Sequence, residues 1–200
     1  IEGQWKPEDR MVFLTSDHGE AFDRNHTKEH HDFSLHTAVL HIPLVIQGPW
    51  AAGQGKRLRG LASQLDILPT IASLVGAPAE DLWQGESLVP SLVSGAEPQK
   101  KVVYSMFYIP EDAKRDMDGF RRFGVRTDDL YYFTNFELNN QRLVRWRTDL
   151  LDDEDLMGDE PDDAVLFPYL AHTKVDWLRE HERSLKKPWK RAARPRAKRR

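Results

Sequence analysis

A short apolar run, Met11–Leu14 (MVFL), passes directly into the polar hexapeptide Thr15–Glu20 (TSDHGE), and this junction constrains the fold more than any other stretch of the chain. Four consecutive apolar residues that end in Thr and Ser are typical of a buried strand in a parallel or mixed sheet. In open α/β sheets, ligands bind at the carboxyl ends of the strands. Asp17 and His18 stand at that end, so the sequence predicts a functional site there.

The next segments predict a strand, helix, strand order. The apolar residues between Leu35 and Ile42 follow helical spacing until Pro43, and the run Leu44–Gly48 (LVIQG) again has the pattern of a buried strand. This order indicates an α/β fold.

The cleanest predicted helix lies within SQLDILPTIASLVGAP. Asp66 is the predicted N-cap, Pro69 fits the first turn because its missing N–H costs nothing there, and Gly76 marks the end. The predicted inward stripe consists of Leu68, Ile71, Ala72 and Val75.

The second half of the chain has a different pattern. An apolar strand is predicted at Val102–Tyr108, and the segments 120–127, 130–138 and 143–147 indicate a small antiparallel meander. A last helix is predicted from about Val165 to Leu185, with Pro168 weakening its start. We therefore expect an α/β unit in residues 1–100, an antiparallel sheet with a helix in 101–185, and a disordered basic tail in 186–200.

Charge is segregated along the chain, whose net charge is −3. The tail, residues 186–200, holds nine Lys or Arg and no acid, whereas Asp149–Asp163 holds nine acids and no base. The tail is a candidate for binding a polyanion, with a solvated end without a partner as the alternative. The acidic block must stay solvated or find cations, and the tail could screen it.

Other compositional features exclude several classes of protein. The 200 residues contain no Cys, which rules out disulfides and thiolate metal sites among them. They also contain no apolar run long enough to span a membrane and no secretory leader, so the sequence predicts no membrane span and leaves the compartment and the oligomeric state open.

Six of the eight histidines fall within 24 residues. They are His18, His26, His30, His31, His36 and His41. Clustered imidazoles near a carboxylate suit a divalent metal or an anionic substrate. His36 and His41 flank an apolar stripe and are predicted to be surface residues, whereas Asp17 with His18 is the best candidate pair, because packing alone does not explain it.

Several motifs in register resemble the C-terminal half of the sulfatase family, within the alkaline phosphatase superfamily. They are VFLTSDHGEAF, SLHTAVLHIPLVIQGP, LASQLDILPTIASLVGAP and WQGESLVPSL. The resemblance covers about residues 10–95 well and continues loosely to about 185. It implies an α/β fold, the C-terminal half of a sulfatase-like mixed-sheet sandwich with a small antiparallel C-terminal subdomain.

The resemblance also implies residue roles. Asp17 and His18 match two ligands of one divalent cation, which is usually calcium in sulfatases and manganese, magnesium or zinc in some phospho-relatives. His31 falls where the family has a His or Lys that contacts the sulfate or protonates the leaving oxygen. The implied reaction is hydrolysis of a sulfate ester, in a family that is often extracytoplasmic.

One part of the family's active site has no counterpart in these residues. The family's nucleophile is a formylglycine made from a Cys/Ser-x-Pro-x-Arg motif, and no Pro here follows a Cys or Ser by two positions. The chain is therefore expected to begin inside the domain, and alone to be inactive. Many sulfatases carry Asn at the position of His18, so a phosphoryl or phosphonate ester hydrolase or transferase is one alternative. A non-catalytic fragment with a polyanion-binding tail is the other.

Overall fold

A computed structural model describes eight parts of the chain. They are residue 6 and residues 9–21, 35–49, 55–108, 120–135, 140–150, 152–159 and 161–185. The strands within them are β1 (Val12–Thr15), β2 (Leu44–Gln47), β3 (Val103–Tyr108), β4 (Phe120–Arg126), β5 (Tyr131–Asn135) and β6 (Asn140–Val144). The helices are α1 (Thr37–Leu40), α2 (Ile67–Val75), α3 (Val89–Ser94) and α4 (Pro161–Leu185), and a 3₁₀ turn at Gln64–Asp66 leads into α2.

Strands β1 and β2 form a two-stranded antiparallel ribbon, in which Val12 pairs with Gln47 and Thr15 with Leu44. Both strands lie within one residue of their predicted positions, but the prediction that β1 is buried is wrong. Leu14 and Val45 are each 56% exposed. The reason is that alternate side chains of a strand point to opposite faces, and no described element covers the outer face of this ribbon.

Helix α2 confirms the predicted helix and its end, because Gly76 adopts the left-handed conformation (φ 70°) that terminates it. Asp66 stands at the N-cap position of α2, as predicted, but its side chain makes no capping hydrogen bond to that helix. Ser63 caps the 3₁₀ turn that leads into α2, and Asp66 completes a capping box by accepting the Ser63 backbone N–H at 2.8 Å.

The prediction of which α2 residues face inward is partly wrong, since Leu68 and Val75 are 55% and 61% exposed. The buried residues include Thr70 instead. Its hydroxyl accepts the Leu88 backbone N–H at 2.9 Å and donates to the Asp66 carbonyl at 2.6 Å, so hydrogen bonding to the loop before α3 decides which side of α2 faces inward.

Strands β3 to β6 form a sheet in sequential order with every neighbouring pair antiparallel, which confirms the predicted meander. Helix α4 covers one face of this sheet. The core between them consists of Phe123, Val125, Tyr132, Leu143, Leu156, Phe167, Ala171 and Val175.

The opposite face of the sheet packs against the first half of the chain. A second core there comprises Leu61, Tyr131, Val144 and Trp146, with Leu40 of α1 packed against it. The four-stranded sheet thus lies between α4 and the segment that carries α1, and this contact fixes the position of α1.

Helix α4 begins at Pro161, one turn before the predicted start, and contains Pro168. Pro161 and the acids Asp162 and Asp163 all favour a helix start, which the prediction overlooked. The helix ends at Leu185 as expected, and the basic tail, 186–200, lies outside the described residues. Every helix in the described parts is too short or too polar to span a lipid bilayer.

Candidate metal-binding site

The turn after β1 presents Asp17 and His18, and two elements hold it. The Gly19 backbone N–H donates to the Val39 carbonyl of α1 at 2.7 Å. From the other side, the Gln64 side-chain amide donates to the carbonyls of Ser16 and Asp17 at 2.9 and 3.0 Å. The turn is therefore fixed at its backbone by α1 and by Gln64.

Gly19 allows the close approach of this turn to α1. A Cβ atom at this position would lie far inside contact distance of the Ala38 carbonyl oxygen. Since that oxygen belongs to the helix backbone, it cannot move without disturbing α1, and only glycine fits.

The ring of His18 is oriented by its own turn. Its Nδ1 lies 2.9 Å from the Gly19 carbonyl oxygen, which can only accept a hydrogen bond, so Nδ1 carries the proton. This tautomer leaves the lone pair on Nε2, which lies 3.6 Å from Asp17 Oδ2. The two atoms are close enough to contact one cation, and an N–H to carbonyl bond of this kind typically orients a metal-binding histidine.

Asp17 is ionised at neutral pH. The hydrogen bond from the His18 backbone N–H, 3.0 Å from Oδ1, lowers the pKa of the Asp17 carboxyl, and the His18 ring lowers it further when it is protonated. The side chain is 87% exposed, so the carboxylate is available to a ligand.

A carboxylate oxygen and an imidazole nitrogen suit manganese or zinc, and the carboxylate also suits calcium or magnesium. Within the described parts of the chain, no set of three His, Cys, Asp or Glu side chains is arranged to hold a metal ion. The pair therefore fits a divalent cation as part of a ligand set.

The other histidines do not join this pair in the described structure. His41 is exposed, as predicted, with its ring 5.3 Å from that of Trp146, and partial burial lowers its pKa. His36 contradicts the prediction of a surface residue, because its side chain is 22% exposed and its Nδ1 lies 3.3 Å from Asp152 Oδ2. His26, His30 and His31 lie outside the described residues.

Sequence analysis missed a buried polar network next to α1. The carboxylate of Asp152 is fully buried and accepts from the Thr37 backbone N–H at 2.6 Å and from the Thr37 hydroxyl at 2.7 Å. Arg126, 7% exposed, donates to the same hydroxyl at 3.1 Å. Asp152 is one of nine acids in the acidic block, and only its neighbours in the fold distinguish it.

Comparison with known proteins relates this chain to sulfatases. The family model described as Sulfatase matches residues 3–77, which include Asp17, His18 and α2. Arylsulfatase K of Canis lupus familiaris is 36% identical over 83 residues, which make up 40% of this chain and 14% of that protein. A sulfatase of Escherichia coli strain K12, YidJ, is 29% identical over 200 residues, 94% of this chain and 37% of that protein.

Two solved structures share the fold. BT4656, solved in complex with its substrate D-glucosamine-2-N,6-O-disulfate, has a TM-score of 0.66 at 18% identity, covering 84% of this chain and 34% of its own. The phosphonate monoester hydrolase of Agrobacterium radiobacter has a TM-score of 0.61 at 21% identity, covering 87% and 36%. The chain thus spans between about a seventh and two fifths of the length of the proteins that it matches.

Proposed function

Because this chain belongs to the sulfatase family, we propose that it supplies part of the metal-binding active site of an enzyme that hydrolyses sulfate esters. The fold agrees with this family, being an α/β structure with an antiparallel C-terminal sheet like the C-terminal half of sulfatases. The activity belongs to a larger enzyme, since these residues contain neither Cys nor a Ser-x-Pro sequence from which the formylglycine nucleophile could be made.

The observation that carries the proposal is the pairing of Asp17 Oδ2 with His18 Nε2 at 3.6 Å, at the carboxyl end of β1. The family match covers both residues. Sulfatases generally use a divalent metal, and the lowered pKa of Asp17 agrees with a carboxylate that is charged and able to bind one. Calcium is the ion that we propose, with the remaining ligands coming from residues outside the described parts.

Each residue of the site has a distinct task in the proposed reaction. Asp17 and His18 bind the cation, which would offset the negative charge that develops on the oxygens of the sulfate group. Gly19 and Gln64 keep the two ligands in place through the backbone of the turn. His31 donates a proton to the leaving oxygen, a role that rests on the family resemblance alone.

A sulfated carbohydrate is one candidate substrate class, because BT4656 binds a sulfated glucosamine and has the same fold. A phosphonate or phosphate ester is the second candidate, because the phosphonate monoester hydrolase also shares the fold. His18 favours this alternative in one respect, since many sulfatases carry Asn at that position. Sulfate and phosphate esters are both tetrahedral and differ mainly in charge, so the assay must compare them directly.

The test uses the protein encoded by the complete reading frame that contains these residues. Its kcat/KM is measured on 4-nitrophenyl sulfate, 4-nitrophenyl phosphate and a 4-nitrophenyl phosphonate, with calcium and then manganese. We expect the sulfate ester to be the best substrate, and Asp17→Ala to lower kcat/KM by at least about 100-fold together with the content of bound metal.

Asp81→Ala is the matched control, because Asp81 is an exposed acid that forms no hydrogen bond or ion pair within the described parts of the chain. A preference for the phosphonate or phosphate ester would replace the sulfatase assignment by the alternative. Full activity and metal content in Asp17→Ala would refute the proposed site on this turn.

A further inference from the structure

The buried network around Asp152 and the turn that carries the candidate metal pair both contact α1. Asp152 binds Thr37 through both carboxylate oxygens, at the first residue of α1. The last residues of α1 hold the turn, since the Val39 carbonyl accepts the Gly19 N–H at 2.7 Å. Only Ala38 and Val39 thus connect Thr37 of the network to Gly19 in the turn that presents Asp17 and His18.

The network is built at a conformational cost. Asp152 has a φ of 55°, in the left-handed region that residues other than glycine seldom adopt. Its backbone conformation nevertheless directs a fully buried carboxylate at a helix of only four residues. Helices of that length do not persist alone in water, so α1 depends on these contacts for its shape.

Two further side chains from the four-stranded sheet act on the same segment. Arg126 donates to the Thr37 hydroxyl, and its guanidinium stacks 4.3 Å from the centre of the Tyr131 ring. Tyr131 is fully buried, and its hydroxyl donates to the Leu35 carbonyl at 2.7 Å. The start of α1 is therefore held at Leu35 and at Thr37 by residues that lie far away in sequence.

The two charged side chains of this network, Asp152 and Arg126, are buried and are stabilised by protein groups instead of solvent. Burial lowers the pKa of Arg126, and the charge of Asp152 opposes that effect. The Thr37 hydroxyl lies between the two charged groups, donating to Asp152 and accepting from Arg126. Without this hydroxyl, the buried Asp152 and Arg126 side chains would lose the hydrogen-bond partner that they share. Thr37 is therefore the central residue of the network.

We infer that Asp152 and Arg126 are positioning residues for the Asp17–His18 pair, acting through Thr37 and α1. The inference rests on the proposed function for the identity of the pair, but the contacts from Asp152 to Gly19 involve neither Asp17 nor His18. Arg126, at the end of β4, thus links the antiparallel sheet to the metal pair indirectly, through Thr37 and α1.

The test compares Thr37→Val with Thr37→Ser in the protein encoded by the complete reading frame that contains these residues. Valine has nearly the shape of threonine but lacks the hydroxyl, whereas serine keeps it. Amide hydrogen exchange by NMR, without metal, is expected to be at least about tenfold faster at Gly19 in Thr37→Val, because both hydrogen bonds of the hydroxyl are lost. Thr37→Ser is expected to match the parent chain.

A second readout uses Mn²⁺ as the probe. Titration of Mn²⁺ broadens the NMR signals of residues near the bound ion, and its apparent affinity at His18 is expected to fall about tenfold in Thr37→Val and in Asp152→Asn. Val175→Ala is the control, because Val175 is buried against the opposite face of the sheet and its loss destabilises the chain without touching α1.

The outcomes separate the two proposals. In Thr37→Val, exchange at Gly19 could rise only in proportion to exchange in β4, as is expected for Val175→Ala. That result would reflect a loss of global stability alone and would overturn the positioning role. Absence of any Mn²⁺ effect at His18 in the parent chain would refute the metal assignment, and the exchange measurement would still decide the positioning role.

Discussion

At the scale of single residues, the structure makes Gly19 the most restricted position of the site. Gly19→Ala would drive a methyl group into the Ala38 carbonyl and break the bond to Val39, so we expect a loss of about 1–3 kcal/mol in the free energy of unfolding. Gly158→Ala is the control, because its Cβ would meet nothing within 4 Å, and we expect a change within about 0.5 kcal/mol. Urea denaturation of both variants measures the difference, and equal stability would show that the turn can move away from α1.

At the scale of elements, Asp66 joins the start of α2 to the rest of the chain. Its buried carboxylate accepts the Ser63 and Glu86 backbone N–H groups, both at 2.8 Å, and lies 2.9 Å from Lys100 Nζ. Asp66→Ala leaves Lys100 and two part-buried N–H groups without this buried partner, so we expect a loss of about 3–5 kcal/mol of stability. Thermal unfolding measures this loss of stability, with Asp81→Ala, a change at an exposed acid, as the control. A loss below about 1 kcal/mol would mean that water replaces the carboxylate.

The elements also show what sequence reasoning can reach. Apolar runs bounded by turn residues located β1, β2 and the meander to within a few residues, because strand formation depends mainly on local pattern. The pattern could not say which face is covered, so Leu14 and Leu68 were predicted inward and are exposed. The pair Asp17 and His18 was recognisable from its place after a strand. Asp152 was not, because its partner Thr37 lies 115 positions earlier and nothing local marks it.

At the scale of the whole molecule, the outer face of the β1–β2 ribbon is an apolar surface that the described residues leave open. Uncovered apolar strands promote association, so we expect the 200-residue chain to self-associate and to bind an apolar dye. Replacing Leu14 and Val45 by Lys should reduce dye fluorescence by about half or more, since both side chains are exposed. The same change at Leu82 and Val93, which are also exposed, is the control. An equal reduction by both pairs would show that this ribbon has no special role.

The charge segregation of the whole chain gives a further prediction. Nine cations in residues 186–200 should bind polyanions, and each phosphate or sulfate contact should release counterions. A chain without the tail is therefore expected to leave a heparin column at a clearly lower salt concentration than the intact chain. A full-length variant in which Gln replaces four of the nine cations separates the effect of charge from that of chain length. Equal retention of the intact and the shortened chain would exclude polyanion binding by the tail.

The Thr37–Asp152 contact also has a consequence for how the protein folds. It joins residues 115 positions apart, and closing so long a loop costs entropy that the chain recovers only when the contact forms. The β1–β2 ribbon needs no such closure over the second half of the chain. The turn that carries Asp17 and His18 therefore acquires its final geometry late, after β4 and the acidic block have been synthesised and packed. During synthesis, the ability to capture a cation would thus appear only after Asp152 has joined the fold.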